Sequence, residues 1–254
     1  MSIEHIIVEI ILVAFAGFID AIGGGGGFIT IPTFLLIGVP EALVLGTNKF
    51  TVTLGGTTAI YRFLRHNKID LSLMKYGVIT GLLGAISGAF LSRLLSAEAM
   101  VYLLLILIPC ILIINTFKSR IFQLKSHHNL SDMQAINRCI IVSFVIGGYD
   151  GFFGPGTGTF LLLGFVFFLY MDYVDASINA RLINFISNLS ALAYFLIVNR
   201  IDWTPALIGV PASAFGYILG SQILIKGYNK IVKRVVNLVL IVLLGHLIFK
   251  YLIY

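Results

Sequence analysis

Apolar residues dominate this chain in long runs that short polar connections separate. Each run is close to the roughly 20 residues that a helix needs to cross a hydrocarbon core of about 30 Å. The pattern therefore predicts six transmembrane helices. They are expected at residues 42–64, 72–92, 99–117, 176–199, 203–225 and 235–253. Two further apolar segments, 5–39 and 139–171, are interrupted near their middles by clusters of glycine.

The composition agrees with an integral membrane protein. The 254 residues are 59% hydrophobic and 11% charged, with a mean hydropathy of +1.02, whereas a soluble domain is about 25% charged. The net charge is +6, but the basic residues are scattered over short connections, which favours membrane orientation over nucleic-acid binding. Cys110 and Cys139 lack a CxxC pattern, and the histidines lack a metal-binding spacing. We expect a lipid bilayer around the chain, and no nucleic acid, metal or cofactor.

The two halves of the chain repeat each other. A shift of 132 residues places Lys49 on Arg181, and near the start a shift of 130 places Asp20 on Asp150. The same 132-residue shift superimposes three glycine pairs, Gly77 on Gly209, Gly84 on Gly216 and Gly88 on Gly220. Such self-similarity indicates a duplication. It predicts a first repeat at 1–117 and a second at 139–254, joined by a loop at 118–138.

Positive charges predict how the repeats lie in the membrane. Connections 62–75, 118–138 and 226–234 each carry four Lys or Arg and should be cytoplasmic, since basic loops stay inside. With those loops fixed, equivalent spans run in opposite directions, so the halves are inverted. Segments 5–39 and 139–171 must then enter and leave on the same side. We predict an all-α polytopic membrane protein of two inverted repeats, each a re-entrant broken-helix hairpin plus three transmembrane helices, with both termini outside.

The glycine-rich tips of these hairpins are candidate ligand sites. Each tip opens a second, short helix whose first N–H groups lack partners within the helix, and such N-termini bind anions. The alternative is that the glycines only permit close helix packing. The candidate tip residues are Gly24, Gly25, Gly26 and Gly27 in the first half, and Gly156, Thr157, Gly158 and Thr159 in the second.

Polar residues inside the apolar runs form a second set of candidates. Buried charges cost several kcal/mol unless they are paired or face water, so Lys49 and Arg181 should point inward. Their candidate neighbours for substrate binding are Thr47, Asn48, Asn184 and Asn188. Asp20 and Asp150 directly precede the tips. Either Asp20 pairs with Lys49 and Asp150 with Arg181, or one of the carboxylates exchanges a proton during transport.

These motifs are similar to those of a known family. The stretch "GFIDAIGGGGGFITIPTFLLIGVPEALVLGTNKF" and its echo "GGYDGFFGPGTGTFLLLGF", followed by "NARLINFISNLSALAYF", resemble the sulfite exporter TauE/SafE family of membrane transporters. The resemblance covers nearly the whole chain. It implies secondary transport of sulfite-like anions or organosulfonates in a bacterial cytoplasmic membrane. Its motif residues here are Asp20, Gly23 to Gly27, Thr47, Asn48, Lys49, Asp150, Gly154, Pro155, Gly156, Gly158, Arg181 and Asn184.

The sequence thus favours a secondary transporter of a small anion that is held at two half-helix tips near the membrane midplane. The alternative is a cation or zwitterion carrier that uses Asp20 and Asp150 as ligands. We expect no enzyme, because GxSxG, HExxH and similar motifs are absent from the sequence. A channel, a coupling proton, the exact substrate, the direction of transport and the oligomeric state stay open at this stage.

Overall fold

The structure is a computed structural model that describes residues 1–65, 69–123, 130–226 and 241. Within these ranges the chain is helical and contains no strand. The helices are α1 (Ile3–Gly23), α2 (Gly27–Leu36), α3 (Glu41–Arg65), α4 (Leu71–Leu91), α5 (Ala97–Gln123), α6 (Asp132–Phe152), α7 (Thr157–Phe168), α8 (Tyr173–Ile197) and α9 (Trp203–Lys226), with a 3₁₀ turn at Ser92–Leu94. Apart from residue 241, the predicted span 235–253 lies outside the described residues.

Local capping sets several of the helix starts. The Ser2 hydroxyl accepts a hydrogen bond from the His5 amide at the start of α1, and the Asp70 carboxylate caps α4. Ser131 and Gln134 form a capping box that begins α6. Each such cap satisfies backbone N–H groups that the first helical turn leaves open.

The helix bounds differ from the predicted ones around the central connection. Helix α5 continues to Gln123 and α6 begins at Asp132, so both extend into the segment 118–138 that we predicted as a loop. The capping box explains the early start of α6, because polar residues in its first turns satisfy backbone groups instead of ending the helix.

The two arms of each predicted hairpin are unequal. Helices α1 and α6 each have 21 residues, or about 32 Å at 1.5 Å per residue, which is enough to cross a membrane. Helices α2 and α7 have 10 and 12 residues, or about 15 to 18 Å, which is too short to cross. In each predicted hairpin, the first helix is therefore long enough to cross a membrane and the second is not.

Length and hydropathy identify four candidate membrane spans in the described part of the chain. They are Ile3–Ile22, Leu71–Leu94, Tyr173–Ile197 and Trp203–Lys226. Large apolar side chains on these helices face outward, as on α4, where Ile79, Leu83, Ile86 and Phe90 are exposed. An apolar outer surface suits lipid rather than water. The prediction of an all-α polytopic membrane protein is confirmed.

Equivalent positions of the two halves make equivalent contacts. Helix α4 packs along α6, and α9 packs along α1. A methyl group on Gly84 would overlap the carbonyl of Phe144, and one on Gly216 would overlap the carbonyl of Ala14. Ala14 and Phe144 are themselves related by the shift of 130. Each half thus packs its fourth helix against the first helix of the other half, and small residues allow the close approach.

Candidate functional site

The two glycine tips meet inside the protein. Gly24 lies against the Thr159 amide, and a Cβ built on Gly27 would lie 3.0 Å from the Pro155 Cα. Gly24 has a φ of +79°, which L side chains rarely adopt. Because Gly24 has no side chain, it can adopt this backbone conformation and leaves space for the second tip. Irregular backbone at membrane depth is tolerated when protein buries it in this way.

Two ion pairs link the tips to the neighbouring helices, and each pair joins opposite halves. Lys49 Nζ lies 2.8 Å from Asp150 Oδ1, and Arg181 Nη1 lies 3.4 Å from Asp20 Oδ2. The expectation that Asp20 pairs with Lys49, and Asp150 with Arg181, is wrong. The reason is geometric: each tip reaches across to the polar helix of the other half, so its aspartate faces the cation of that half.

The Asp150 carboxylate belongs to a buried polar network on α3, α6 and α8. Both Lys49 and Asp150 have only 2% of their side chains exposed. Ser187 Oγ donates to Asp150 Oδ2 at 2.6 Å, and Lys49 Nζ donates to Asn188 Oδ1 at 2.9 Å. Asn188 Nδ2 in turn donates to Asn184 Oδ1 at 2.8 Å. Since the pair is almost fully desolvated, these hydrogen bonds are needed to offset the cost of burial.

The Asp20 carboxylate is satisfied in a similar way. The Gly26 amide donates to Oδ1 at 3.1 Å, and the Tyr217 hydroxyl donates to Oδ2 at 2.6 Å. Arg181 Nη1 also donates to the main-chain oxygen of Asp20 at 2.5 Å. Every carboxylate oxygen of Asp20 and Asp150 therefore has a donor.

Arg181 has donors that this arrangement leaves unused. Its side chain is 3% exposed, and within the described residues neither Nε nor Nη2 has a hydrogen-bond partner. The guanidinium lies directly against Gly158, and Nη2 is 2.8 Å from a Cβ built on Gly24. Unpaired donors of a buried cation therefore lie where the two tips meet.

Backbone amides at the tips point to the same chemistry. Gly27 is the first residue of α2 and Gly158 the second residue of α7. Of the hydrogen bonds in the described ranges, none is donated by the amides of these two glycines. Open N–H groups at helix N-termini, next to a guanidinium, are suited to an anion.

Two small cavities lie between the tips and the polar helices. Each has a volume of about 20 Å³, which is room for about one water molecule. They share Asp20, Val52, Asn184 and Asn188. The first also contacts Lys49 and Asp150, and the second contacts Arg181 and Tyr217. The space beside the ion pairs is therefore small in the described conformation.

Most of the predicted site residues border these cavities. The bordering residues are Asp20, Gly27, Asn48, Lys49, Asp150, Gly156, Thr157, Gly158, Arg181, Asn184 and Asn188. Gly24, Gly25 and Thr159 lie just behind them, in the contact between the tips, and Gly26 lies against Ala16 and Asp20 of α1. Thr47 lies elsewhere: its hydroxyl donates to the Leu43 carbonyl and accepts from the Asp202 amide at 2.9 Å. The Thr47 hydroxyl thus braces a connection between helices.

Three polar side chains at the site were not among the predicted ones. Ser187 and Tyr217 donate to the two aspartates, and Thr30 Oγ1 donates to Asn48 Oδ1 at 2.5 Å. Ser187 lies three residues after Asn184 on α8, so helical spacing could have indicated it. Tyr217 gave no such signal, because its repeat equivalent is Ala85.

The chain is helical, its outer faces are apolar, and its charge-balanced site lies between two broken helices. This is the architecture of a membrane transporter. Residues 9–247 match the family described as Sulfite exporter TauE/SafE. The chain belongs to this family of membrane transporters.

Curated relatives agree with the family. "Probable membrane transporter protein YfcA" of Escherichia coli (strain K12) is 30% identical over 92% of this chain and 86% of its own length. "Probable membrane transporter protein" of Haemophilus influenzae (strain ATCC 51907 / DSM 11121 / KW20 / Rd) is 34% identical over 87% of this chain and 86% of its own. "Probable membrane transporter protein ORF9" of Sinorhizobium sp is 31% identical over 94% and 91%. No solved structure matches the chain.

Proposed function

We propose that this protein is a secondary transporter of a small sulfur oxyanion or organosulfonate, such as sulfite, which binds between the two glycine tips. The observation that carries the proposal is Arg181, a buried guanidinium with free Nε and Nη2 donors against Gly158 and Gly24. A guanidinium presents paired donors in a planar fork that matches an oxyanion. The open amides of Gly27 and Gly158 would complete the site.

The small size of the two cavities favours alternating access. A volume of about 20 Å³ holds one water but not an anion with three oxygens. Substrate entry would therefore require the tips to separate from α3 and α8. Rocking of two halves about a site at their interface provides this movement. The ion pairs between halves would then close the site when no substrate is bound.

The alternative of a cation or zwitterion carrier has less support. A cation would need free carboxylate oxygens. Those of Asp20 and Asp150 already accept hydrogen bonds or form ion pairs, with Lys49, Ser187, Gly26, Tyr217 and Arg181. Among the described residues, the unpartnered Nε and Nη2 groups of Arg181 at the site are donors, and donors suit an anion.

We further propose the inverted arrangement of the halves. The basic segments 62–75, 118–138 and 226–234 would then lie on the cytoplasmic side and both termini outside, in a bacterial cytoplasmic membrane. The equivalent packing of α4 on α6 and of α9 on α1 supports two halves related by a rotation. The basic loops support its orientation.

Ligand-dependent thermal stability of the purified protein tests the anion site. A ligand at about 100 times its dissociation constant should stabilise the protein by about 2.7 kcal/mol. The panel contains sulfite, thiosulfate, organosulfonates, sulfate, phosphate, carboxylates and metal cations. We expect a selective shift with sulfur oxyanions that disappears in Arg181→Gln and Lys49→Gln.

The matched control is Arg93→Gln, which makes the same substitution at an exposed arginine. This variant should keep the full ligand-induced shift. An undiminished shift in Arg181→Gln would remove the proposed site. A response to cations alone would instead favour Asp20 and Asp150 as ligands.

A further inference from the structure

Glu9 is an acidic side chain at an unusual place in α1. It is fully buried, at 0% exposure, in a helix that is long and apolar enough to cross a membrane. Among the residues that the structure describes, neither of its carboxylate oxygens has a hydrogen-bond partner. Oε1 is 3.2 Å from a Cβ built on Gly209 of α9, and Thr51 of α3 lies beside the same glycine.

Within the described part of the chain, no charge around Glu9 neutralises it. Among the described residues, the charged neighbour of Glu9 is Asp202, just before α9, and two carboxylates disfavour each other's negative charge. Helix α2 has no titratable residue, and His5, one turn earlier on α1, is exposed. On the helices packed against α1, Lys49, Arg181 and Tyr217 are bonded to the tip aspartates. The other cations there, Arg62, Arg65 and Lys226, lie in the last turns of α3 and α9, away from Thr51 and Gly209. An ionised carboxylate buried without a cation is strongly disfavoured, so the described packing requires the protonated acid.

Comparison with the other half shows that packing alone does not require an acid here. The repeat equivalent of Glu9 is Cys139, whose Sγ is 3.0 Å from a Cβ built on Gly77 of α4. Gly77 is the equivalent of Gly209. The same place in the fold thus holds a thiol in one half and a carboxyl group in the other.

We propose that Glu9 is the coupling-proton site of the transporter, an inference that rests on the proposed transport function. The acid is protonated while α1 packs against α9 and α3. When these helices separate, the carboxyl group reaches water and releases its proton to it. Glu9 lies six residues from the start of α1, or about 9 Å along the helix. Glu9 is therefore close to the N-terminal end of α1. Its route to water runs toward that end, past half-exposed Asp202. Reprotonation allows the helices to close again.

The test uses the full chain, with sulfite as the probe, and two measurements. Infrared difference spectra of the purified protein between neutral and alkaline pH detect the carbonyl band of a buried protonated acid. Proteoliposomes report sulfite counterflow, which needs no net proton movement, and sulfite accumulation under a one-unit pH gradient. With one proton per substrate, that gradient supports about tenfold accumulation. Protein-free vesicles correct for the buffering by sulfite itself.

We expect Glu9→Gln to lose the acid band and the tenfold accumulation while counterflow persists. Glu9→Cys, which copies the other half and should therefore pack, is expected to behave in the same way. The control Glu4→Gln, an exposed glutamate on the same helix, should keep all three signals.

Two results overturn the proposal: tenfold accumulation by Glu9→Gln, or an acid band unchanged in that variant. A third result concerns the wild-type protein: the acid band of Glu9 is present, but the protein shows no sulfite counterflow. It overturns the proposed substrate and the coupling role, but it confirms the proton site. The two proposals can therefore fail separately.

Discussion

The pairing of charges between the two halves leads to a quantitative prediction for a double-mutant cycle. The perturbations are Lys49→Met and Asp150→Asn, alone and together. Each single change leaves one charge in a site where the side chains are only 2% exposed. Breaking a buried ion pair in this way costs about 3 to 5 kcal/mol, whereas removing both charges together is often nearly neutral.

The expected coupling free energy between Lys49 and Asp150 is therefore about 3 kcal/mol or more. For a chain of this length, 1 kcal/mol corresponds to about 2 to 4 °C in Tm. Each single variant should therefore unfold about 6 to 20 °C below wild type. The double variant should recover most of that loss. Thermal unfolding of the purified protein in one detergent, followed by circular dichroism, measures all four corners of the cycle.

A second cycle, between Lys49 and Asp20, is the internal control. Asp20 is bonded to Arg181, Tyr217 and Gly26, so its coupling to Lys49 should be clearly smaller. If the Lys49–Asp20 coupling is the larger of the two, the ions pair within each half, and the exchanged arrangement is refuted.

Two further substitutions test packing and the Asp20 site through the same unfolding measurement. Gly84→Ala should cost about 1 to 3 kcal/mol by overpacking against the facing carbonyl of α6. Gly148→Ala should cost less, because its Cβ would find only an ordinary contact at 3.6 Å; equal losses would contradict the close packing. Tyr217→Phe should cost about 1.5 to 3 kcal/mol through the lost hydrogen bond to Asp20. The exposed control Tyr61→Phe should be neutral, and a neutral Tyr217→Phe would argue against that bond.

The elements of the fold that depend on local signals could be predicted from the sequence. Hydrophobic runs located helices α3, α4, α8 and α9 to within a few residues. The glycine clusters located the breaks between α1 and α2 and between α6 and α7. The start of α6 at Asp132 was missed because polar residues of an N-terminal helical turn look like a loop when only hydropathy is considered. The Ser131–Gln134 capping box was the available signal.

The pairing at the site could not be predicted, for a reason of symmetry. Two equivalent halves allow Asp20 to pair with Lys49 or with Arg181, and both choices leave the repeat intact. Only the crossing of the tips in three dimensions decides between them. Tyr217 was missed for a related reason, because it serves one half alone, and a comparison of repeats finds only what both halves share.

The exchanged ion pairs also affect how the chain is made. The first half enters the membrane while the second is still on the ribosome. At that stage Asp20 and Lys49 have been inserted, but Arg181 and Asp150 have not yet been synthesised. Neither early charge can then reach its final counterion, so Asp20 and Lys49 can neutralise only each other until residues up to 181 have been made. Completion of the exchanged pairs is therefore a late step of biosynthesis, and of the three other site charges a chain that ends before Asp150 offers Lys49 only Asp20.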